Sequence, residues 1–249
     1  MSRKAELVNP RSKAPVVAIV GPTASGKTSL AIDLASQFNG EIISADSRAI
    51  YRYMDIGTAK PTPEEQARVK HWGIDLVEPG ERFTVHDFKE YALGKIADIR
   101  ARGKQPFVVG GTGLYVDALI YDYQFGKNYN DRLRVVPGYI VVGITMDRDE
   151  LRNRIQKRAD QMFGDSIVKE TTCLAEKYGW GNEAMKSNIY PVVQEMIDGE
   201  LTLEEAKQKI FFEDWHLARR QMTWFRRNKS IQWLTLEDAK RYISDTLVV

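Results

Sequence analysis

The chain is expected to fold as an α/β protein, a parallel sheet with helices on both faces and a helical C-terminal part. Three observations predict it. Short apolar runs bounded by glycine alternate with stretches of helical period, the pattern of strands joined by crossover helices. The first apolar run leads directly into a glycine-rich phosphate-binding motif that opens a helix. And 249 residues with 43% hydrophobic and 28% charged side chains suffice for a large core, which excludes disorder, collagen and low complexity.

Taken in order, Pro15 to Val20 is a β-branched run ending at Gly21, a buried strand. From Lys27, the residues Leu30, Leu34 and Phe38, with Ala31 and Ala35, recur at helical spacing until Asn39-Gly40 stops them. Glu41 to Ala45 reads as a second strand with Asp46 at its carboxyl end. Phe88 to Arg102 reads as a helix closed by Gly103. Pro106 to Val109 is a third strand, running into Gly110-Gly111-Thr112-Gly113. Tyr139 to Ile144 is a fourth strand and Ile231 to Leu234 a fifth. Gln124 to Pro137 is polar and turn-rich, a loop. The expected organisation is a tail over residues 1–14 and one domain over 15–249, mostly helical from 150 to 230.

Lys+Arg 36 against Asp+Glu 34 is too balanced to mark a nucleic-acid binder, so any RNA contact must come from local patches. No run approaches the ~18 apolar residues of a membrane-spanning helix. Met1 to Ala14 has no apolar leader core, so a cytoplasmic protein is expected, away from membranes. The single cysteine, Cys173, fits a reducing compartment. His71, His86 and His216 lie far apart and in no metal-ligand spacing.

Gly21-Pro22-Thr23-Ala24-Ser25-Gly26-Lys27-Thr28 satisfies G-x-x-x-x-G-K-[ST] in full, between a buried strand and a helix. This is the P-loop, and it makes the expected sheet P-loop NTPase-like. Glycines let the backbone wrap an anion, amide N–H groups and the helix N-terminus point at it, and Lys27 adds a full charge. The Thr28 hydroxyl is placed to join the coordination of Mg²⁺. Loops of this type commonly bind ATP or GTP, whose metal is also held by an acid at a neighbouring strand end. Here the strand over Phe107-Val108-Val109 ends in glycine and supplies none. The acid near a strand end is Asp46. Carboxyl ends of parallel strands form the ligand crevice, so it is expected beside the loop, as a site residue or as a turn or cap.

Beyond the loop, four strings occur in order: Ile43-Ser44-Ala45-Asp46-Ser47-Arg48, Tyr51 to Pro61, Val109 to Tyr115, and Arg219 to Arg227. Together they resemble the tRNA dimethylallyltransferases, or isopentenyltransferases, from about Val16 to Leu234. The resemblance implies transfer of a dimethylallyl group from dimethylallyl diphosphate to N6 of the adenosine at position 37, next to the anticodon of tRNA, releasing diphosphate. It implies that Gly21, Thr23, Ala24, Ser25, Gly26, Lys27 and Thr28 hold the donor's diphosphate with Mg²⁺ instead of ATP. Lys27 and Thr28 then stabilise charge on the leaving group. The adenine amine is a poor nucleophile, and Asp46 is the chosen base for its proton. The allylic carbon must be kept from water, which asks for a narrow, apolar-walled channel. Asp46, Ser47, Arg48 and Thr112 are expected against the target nucleotide of the tRNA anticodon arm. A monomer is expected.

At ~100° per residue Leu203, Ala206, Ile210, Leu217 and Phe225 share one helix side. Gln221 falls within it, where an amide is costly unless hydrogen-bonded. Arg220 and Arg227 flank the stripe, so Arg220 rather than Arg219 is expected to reach the diphosphate. Arg227, Arg226 and Lys229, with Arg152, Arg154, Lys157 and Arg158, are expected to meet RNA phosphates. Trp215, Trp224 and Trp233 are expected in the core, and His71, His86 and Cys173 to be without special role.

Typical family members carry a helical insertion that grips the anticodon arm, and Leu119 to Gly138 leaves room for little of it. The family's Gly-Tyr-Lys-Glu string is replaced by Asn188-Ile189-Tyr190-Pro191. Beside tRNA modification stand a non-catalytic RNA-binding protein that keeps the fold, against which the intact Lys27, Thr28 and Asp46 argue, and two further enzymatic alternatives. One is an isopentenyltransferase of cytokinin type acting on a free adenine nucleotide. The other is a small-molecule P-loop kinase, with Arg154 and Arg158 as lid arginines.

Overall fold

The computed structural model describes residues 14–123, 135–186 and 189–248, so most of the tail and of the 124–137 loop lies outside it. Among the described residues, six parallel strands form one sheet. They are β1 (Val16–Val20), β2 (Gly40–Ser44), β3 (His71–Trp72), β4 (Gln105–Gly110), β5 (Tyr139–Ile144) and β6 (Gln232–Leu234). The spatial order is β3-β2-β4-β1-β5-β6. β1 is thus central, and it ends at the phosphate loop. The order reverses on either side of it, between β4 and β5, so the crevice at its carboxyl end is where this topology takes a ligand.

Alternation along the strands loads both faces. Val17 and Ile19 pack on one side with Leu30 and Leu34 of α1 (Lys27–Gln37) and Ile243 of α9 (Leu236–Val248). Val16, Ala18 and Val20 face the other side, against Phe88 and Ile96 of α3 (Val85–Ala101) and Val116 and Leu119 of α4 (Gly113–Ile120). A further core is made by four helices, α5 (Arg148–Met162), α6 (Asp165–Tyr178), α7 (Ile189–Ile197) and α8 (Leu203–Phe225). Ile155, Leu174, Tyr190 and Ile210 meet there, and Ile50 and Met54 from the segment after β2 enter the same cluster. That shared packing fixes the helical part against one edge of the ligand crevice.

Local signals set the ends. α3 begins three residues before its apolar period because Thr84 and Asp87 form a capping box. The same box at Thr62 and Glu65 starts α2 (Pro63–Arg68), a helix that hydrophobic periodicity does not reveal because it buries nothing. β3, paired to β2 through Ile42 and Ile43, has two residues, too few for a period-2 pattern. One expectation is corrected. Leu203, assigned to the buried stripe of the late helix, is 46% exposed because it is the first helical residue, ahead of the packed turns.

Candidate active site

The loop between β1 and α1 carries backbone conformations that side chains seldom adopt: φ is +83° at Gly26 and +59° at Ala24. Such turns aim successive N–H groups into one concavity, which is an anion nest. Lys27 lies half-buried, with Nζ donating to the Pro22 carbonyl at 3.0 Å. Burial pushes its ammonium down from 10.5 to about 8. The Asp46 carboxylate opposes that shift, and the Arg158 guanidinium adds to it. Ser25 is fully buried, and its Oγ has no hydrogen-bond partner among the described residues. A buried hydroxyl without a partner is costly, so this loop is built around a polar group that the polypeptide does not supply.

Asp46 follows β2 and closes a turn in which its Oδ1 accepts from the Arg48 N–H at 2.8 Å. The turn is tied to the next strand end. Thr112 Oγ1 accepts from the Ser47 N–H at 2.9 Å and lies 3.2 Å from Ser47 Oγ. Asp46 therefore belongs to a turn and also faces the cavity. One oxygen organises the turn, and the residue lines the cavity opposite Lys27.

Helix α8 closes the site from above the loop. Gln221 Oε1 accepts from the Thr23 N–H at 2.7 Å, and its Nε2 donates to the Gly111 carbonyl at 3.2 Å. Here is the partner that an amide in an apolar stripe requires. A Cβ at Gly111 would stand 2.3 Å from Gln221 Nε2, so a side chain there would displace the amide from its hydrogen bonds.

One cavity of about 420 Å³ collects most of the expected residues: Thr23, Lys27, Thr28, Asp46, Ser47, Arg48, Thr112 and Arg220. Gly21, Ala24, Ser25 and Gly26 form the loop beneath it and do not line it. The wall is mixed rather than purely apolar. Val109, Met162, Ile210 and Leu217 share it with Ser44, His71 and Asp214. A further side is the segment Gly57 to Pro61. It is held by Glu170, whose carboxylate accepts from the N–H groups of Asp55 (3.0 Å), Ile56 (2.8 Å) and Gly57 (2.9 Å). Lys60, almost fully buried, pairs with Asp55 just ahead of the segment and with Asp75 beyond β3, and so ties the segment to the chain after that strand.

Three wall residues differ from the sequence expectation. Arg158, expected to meet RNA phosphates with Arg152, Arg154 and Lys157, turns inward instead. It points into the cavity, where Nη1 donates to Thr23 Oγ1 at 2.5 Å, because α5 packs with that side toward the loop. Of its supposed companions, Arg154 pairs with Glu150, and Arg152 lies over the Phe211 ring. His71 is buried in the wall. Its Nδ1 is 2.8 Å from the Val69 carbonyl, and its Nε2 has no partner among the described residues. Asp214 is buried beside Arg158. Its signal was in the sequence: it lies seven residues before Gln221, a carboxylate on the apolar side of the late helix.

Arg227 lies outside the cavity. It lines a shallow groove on α8 with His216, Arg219, Thr223 and Trp224, and Arg220 lines both groove and cavity. The Arg227 guanidinium stacks 4.0 Å above the centroid of the Trp224 ring, whose Nε1 donates to Asp117 Oδ2 at 2.7 Å. Trp224 is thus half in the core and half a platform. Burial pushes the Asp117 carboxyl from 3.8 up to about 6, against the pull of Trp224 and Arg227. The folded state therefore holds a proton there that the unfolded chain gives up. Stability falls as pH rises from about 4 to 6, by an order of 3 kcal/mol at most. Asp117→Asn keeps the acceptor for Trp224 and is expected to flatten that slope in thermal melts taken between pH 4 and 7. An unchanged slope would place the titration elsewhere.

A glycine-rich anion loop on the central strand of a parallel sheet, with Lys27 and Arg158 on it and Asp46 in the same cavity, defines a P-loop-type fold suited to a phosphate-bearing ligand. Its relatives narrow the class. The family model for IPP transferase matches residues 49–136 and 130–228, and that for isopentenyl transferase matches 14–75. The tRNA dimethylallyltransferase of Acetivibrio thermocellus is 38% identical over 288 aligned positions, covering 90% of this chain and 92% of the relative. About 64 of those positions therefore have no residue here, and the two IPP transferase matches meet at 130–136, within the shortened loop. Among solved structures, the tRNA isopentenylpyrophosphate transferase of Bacillus halodurans superposes with a TM-score of 0.82 at 32% identity, covering 94% and 97% of the two chains. The tRNA delta(2)-isopentenylpyrophosphate transferase of Staphylococcus epidermidis gives 0.82 at 30%, covering 94% and 98%. The chain belongs to the IPP transferase family, whose members these are.

Proposed function

We propose that this chain transfers a dimethylallyl group from dimethylallyl diphosphate to the N6 amine of an adenosine next to the anticodon, position 37, in tRNA. The observation that carries the reading is the pairing of the phosphate loop with Asp46 across one cavity, in a chain of this family. The loop N–H groups, Lys27 and Arg158 gather positive charge where the donor's diphosphate departs, which stabilises the developing anion. Asp46 accepts the proton of the attacking amine. Thr112, Ser47 and Arg48 hold the target nucleotide, and Gly57 to Pro61 with the apolar wall screen the allylic carbon from water.

Mg²⁺ fits the residues present. Thr28 lines the cavity at the helix start, and the unpartnered Ser25 hydroxyl marks the loop as a polar-ligand site. Thr28 would hold the ion. Among the described residues no group of three or more His, Cys, Asp or Glu is placed to cage one. When bound, the ion neutralises charge on the leaving diphosphate.

The groove of Arg219, Arg220, Thr223, Trp224 and Arg227 runs to the cavity mouth through Arg220, and it is the surface for RNA phosphates beside the target base. Arg227→Ala is expected to raise the KM for tRNA severalfold, lower the salt slope of binding by about one, and leave the donor KM unchanged. A donor KM that moves with it would remove the groove from RNA binding. An ATP-using kinase leaves the glycine end of β4 unexplained. Titration separates the two: dimethylallyl diphosphate is expected to saturate a single site that excess ATP does not empty. Displacement by micromolar ATP would contradict the donor assignment.

A further inference from the structure

Helix α8 grips the phosphate loop twice from one side. The direct grip is Gln221 on the Thr23 N–H, at 2.7 Å. The second runs through α5. Arg158 Nη1 donates to Thr23 Oγ1 at 2.5 Å, and Arg158 Nε stands 3.5 Å from Oδ2 of Asp214, seven residues before Gln221 on α8. Asp214 is 6% exposed and lines the same cavity as Lys27 and Thr28. A buried carboxylate beside an anion site repels the anion and loses its hydration, so it needs a specific reason to be there. Neither Arg158 Nε nor Asp214 Oδ2 has a hydrogen-bond partner among the described residues. The pair is close enough for charge attraction while the guanidinium leans toward the loop.

We propose that Asp214 is a positioning residue: its buried carboxylate holds Arg158 against the phosphate loop, so that the guanidinium meets the diphosphate of the prenyl donor. The inference rests on the donor reading of the loop. Burial pushes the Asp214 carboxyl up, Arg158 pulls it down, and neighbouring Glu213 pushes it further up; Arg158 is thus the cation that opposes its neutralisation. An arginine flanked by Lys27 would otherwise be driven from the loop by like charge. A carboxylate behind it lets two cations converge on one anion. Because Asp214 acts through Arg158, it gives donor binding no support once Arg158 is gone.

That dependence is measurable by a double-mutant cycle on the full chain, read as the affinity for dimethylallyl diphosphate with Mg²⁺. Arg158→Gln is expected to weaken donor binding about tenfold or more, and Asp214→Asn about fivefold. The double variant is expected to bind no more weakly than Arg158→Gln alone. Asp214→Glu, which keeps the charge, is expected to recover part of the loss, and melting curves confirm that each variant is folded. A double variant as weak as the product of the two single losses, or Asp214→Asn binding as tightly as the parent chain, would overturn the proposal. The donor reading itself fails in a different way: Lys27→Met and the parent chain would then bind the diphosphate equally.

Discussion

Asp46→Asn is expected to cut dimethylallyl transfer by about 10²- to 10⁴-fold while dimethylallyl diphosphate still binds, because the variant loses the proton acceptor and little else. The geometry makes this substitution cleaner than alanine. Asp46 Oδ1 accepts from the Arg48 N–H at 2.8 Å, and the asparagine oxygen keeps that bond, so the turn carrying Ser47 and Arg48 stays in place. Ser47 also remains tied to Thr112. The measurement is single-turnover transfer beside a donor titration. Turnover at the parent rate would remove Asp46 from the chemistry and leave it a turn residue.

The second large effect belongs to Lys27. Lys27→Met is expected to weaken donor binding by roughly ten- to a hundredfold, the scale of a lost hydrogen bond from a charged group. It is expected to lower the transfer rate further, since charge on diphosphate grows toward the transition state. The parent chain adds a pH signature. Burial holds the ammonium at about 8 rather than 10.5, so it is charged below that value and neutral above it. A bound diphosphate favours the charged form. Donor affinity is therefore full below pH 8 and is expected to fall by up to ~10-fold per unit above it, a fall that Lys27→Met abolishes. Affinity in the parent chain that stays flat from pH 7 to 10 would separate Lys27 from the donor.

Much of this fold was legible because its main strands are short β-branched runs closed by glycine, and because a parallel sheet buries both faces of its strands. Tyr139–Ile144 was found to the residue for that reason. What escaped had no periodic signature. β3 is two residues long, and α2 buries no side chain, although Thr62 and Glu65 announced its capping box. The site divides in the same way. Asp46 and the loop could be placed together because strand ends converge. Gln221 could be flagged as needing partners, though not matched to Thr23 and Gly111, which are 198 and 110 residues away in sequence. The inward turn of Arg158 is hidden for a related reason. Helical spacing fixes which side of α5 it occupies, but not that this side meets the phosphate loop. His71 becomes visible only when tertiary packing buries it in the cavity wall, whereas Asp214 carries the same signal as Gln221, a polar group on the apolar side of the late helix.

What supplies the prenyl group and what receives it can be read in one reaction. The chain, supplied with Mg²⁺, radiolabelled dimethylallyl diphosphate and a mixture of bulk tRNA, AMP and ATP, is expected to place the label in tRNA alone, at an adenosine next to the anticodon. Label in AMP or ATP, or no label in any acceptor while the terminal phosphate of ATP is consumed, would contradict the proposed function.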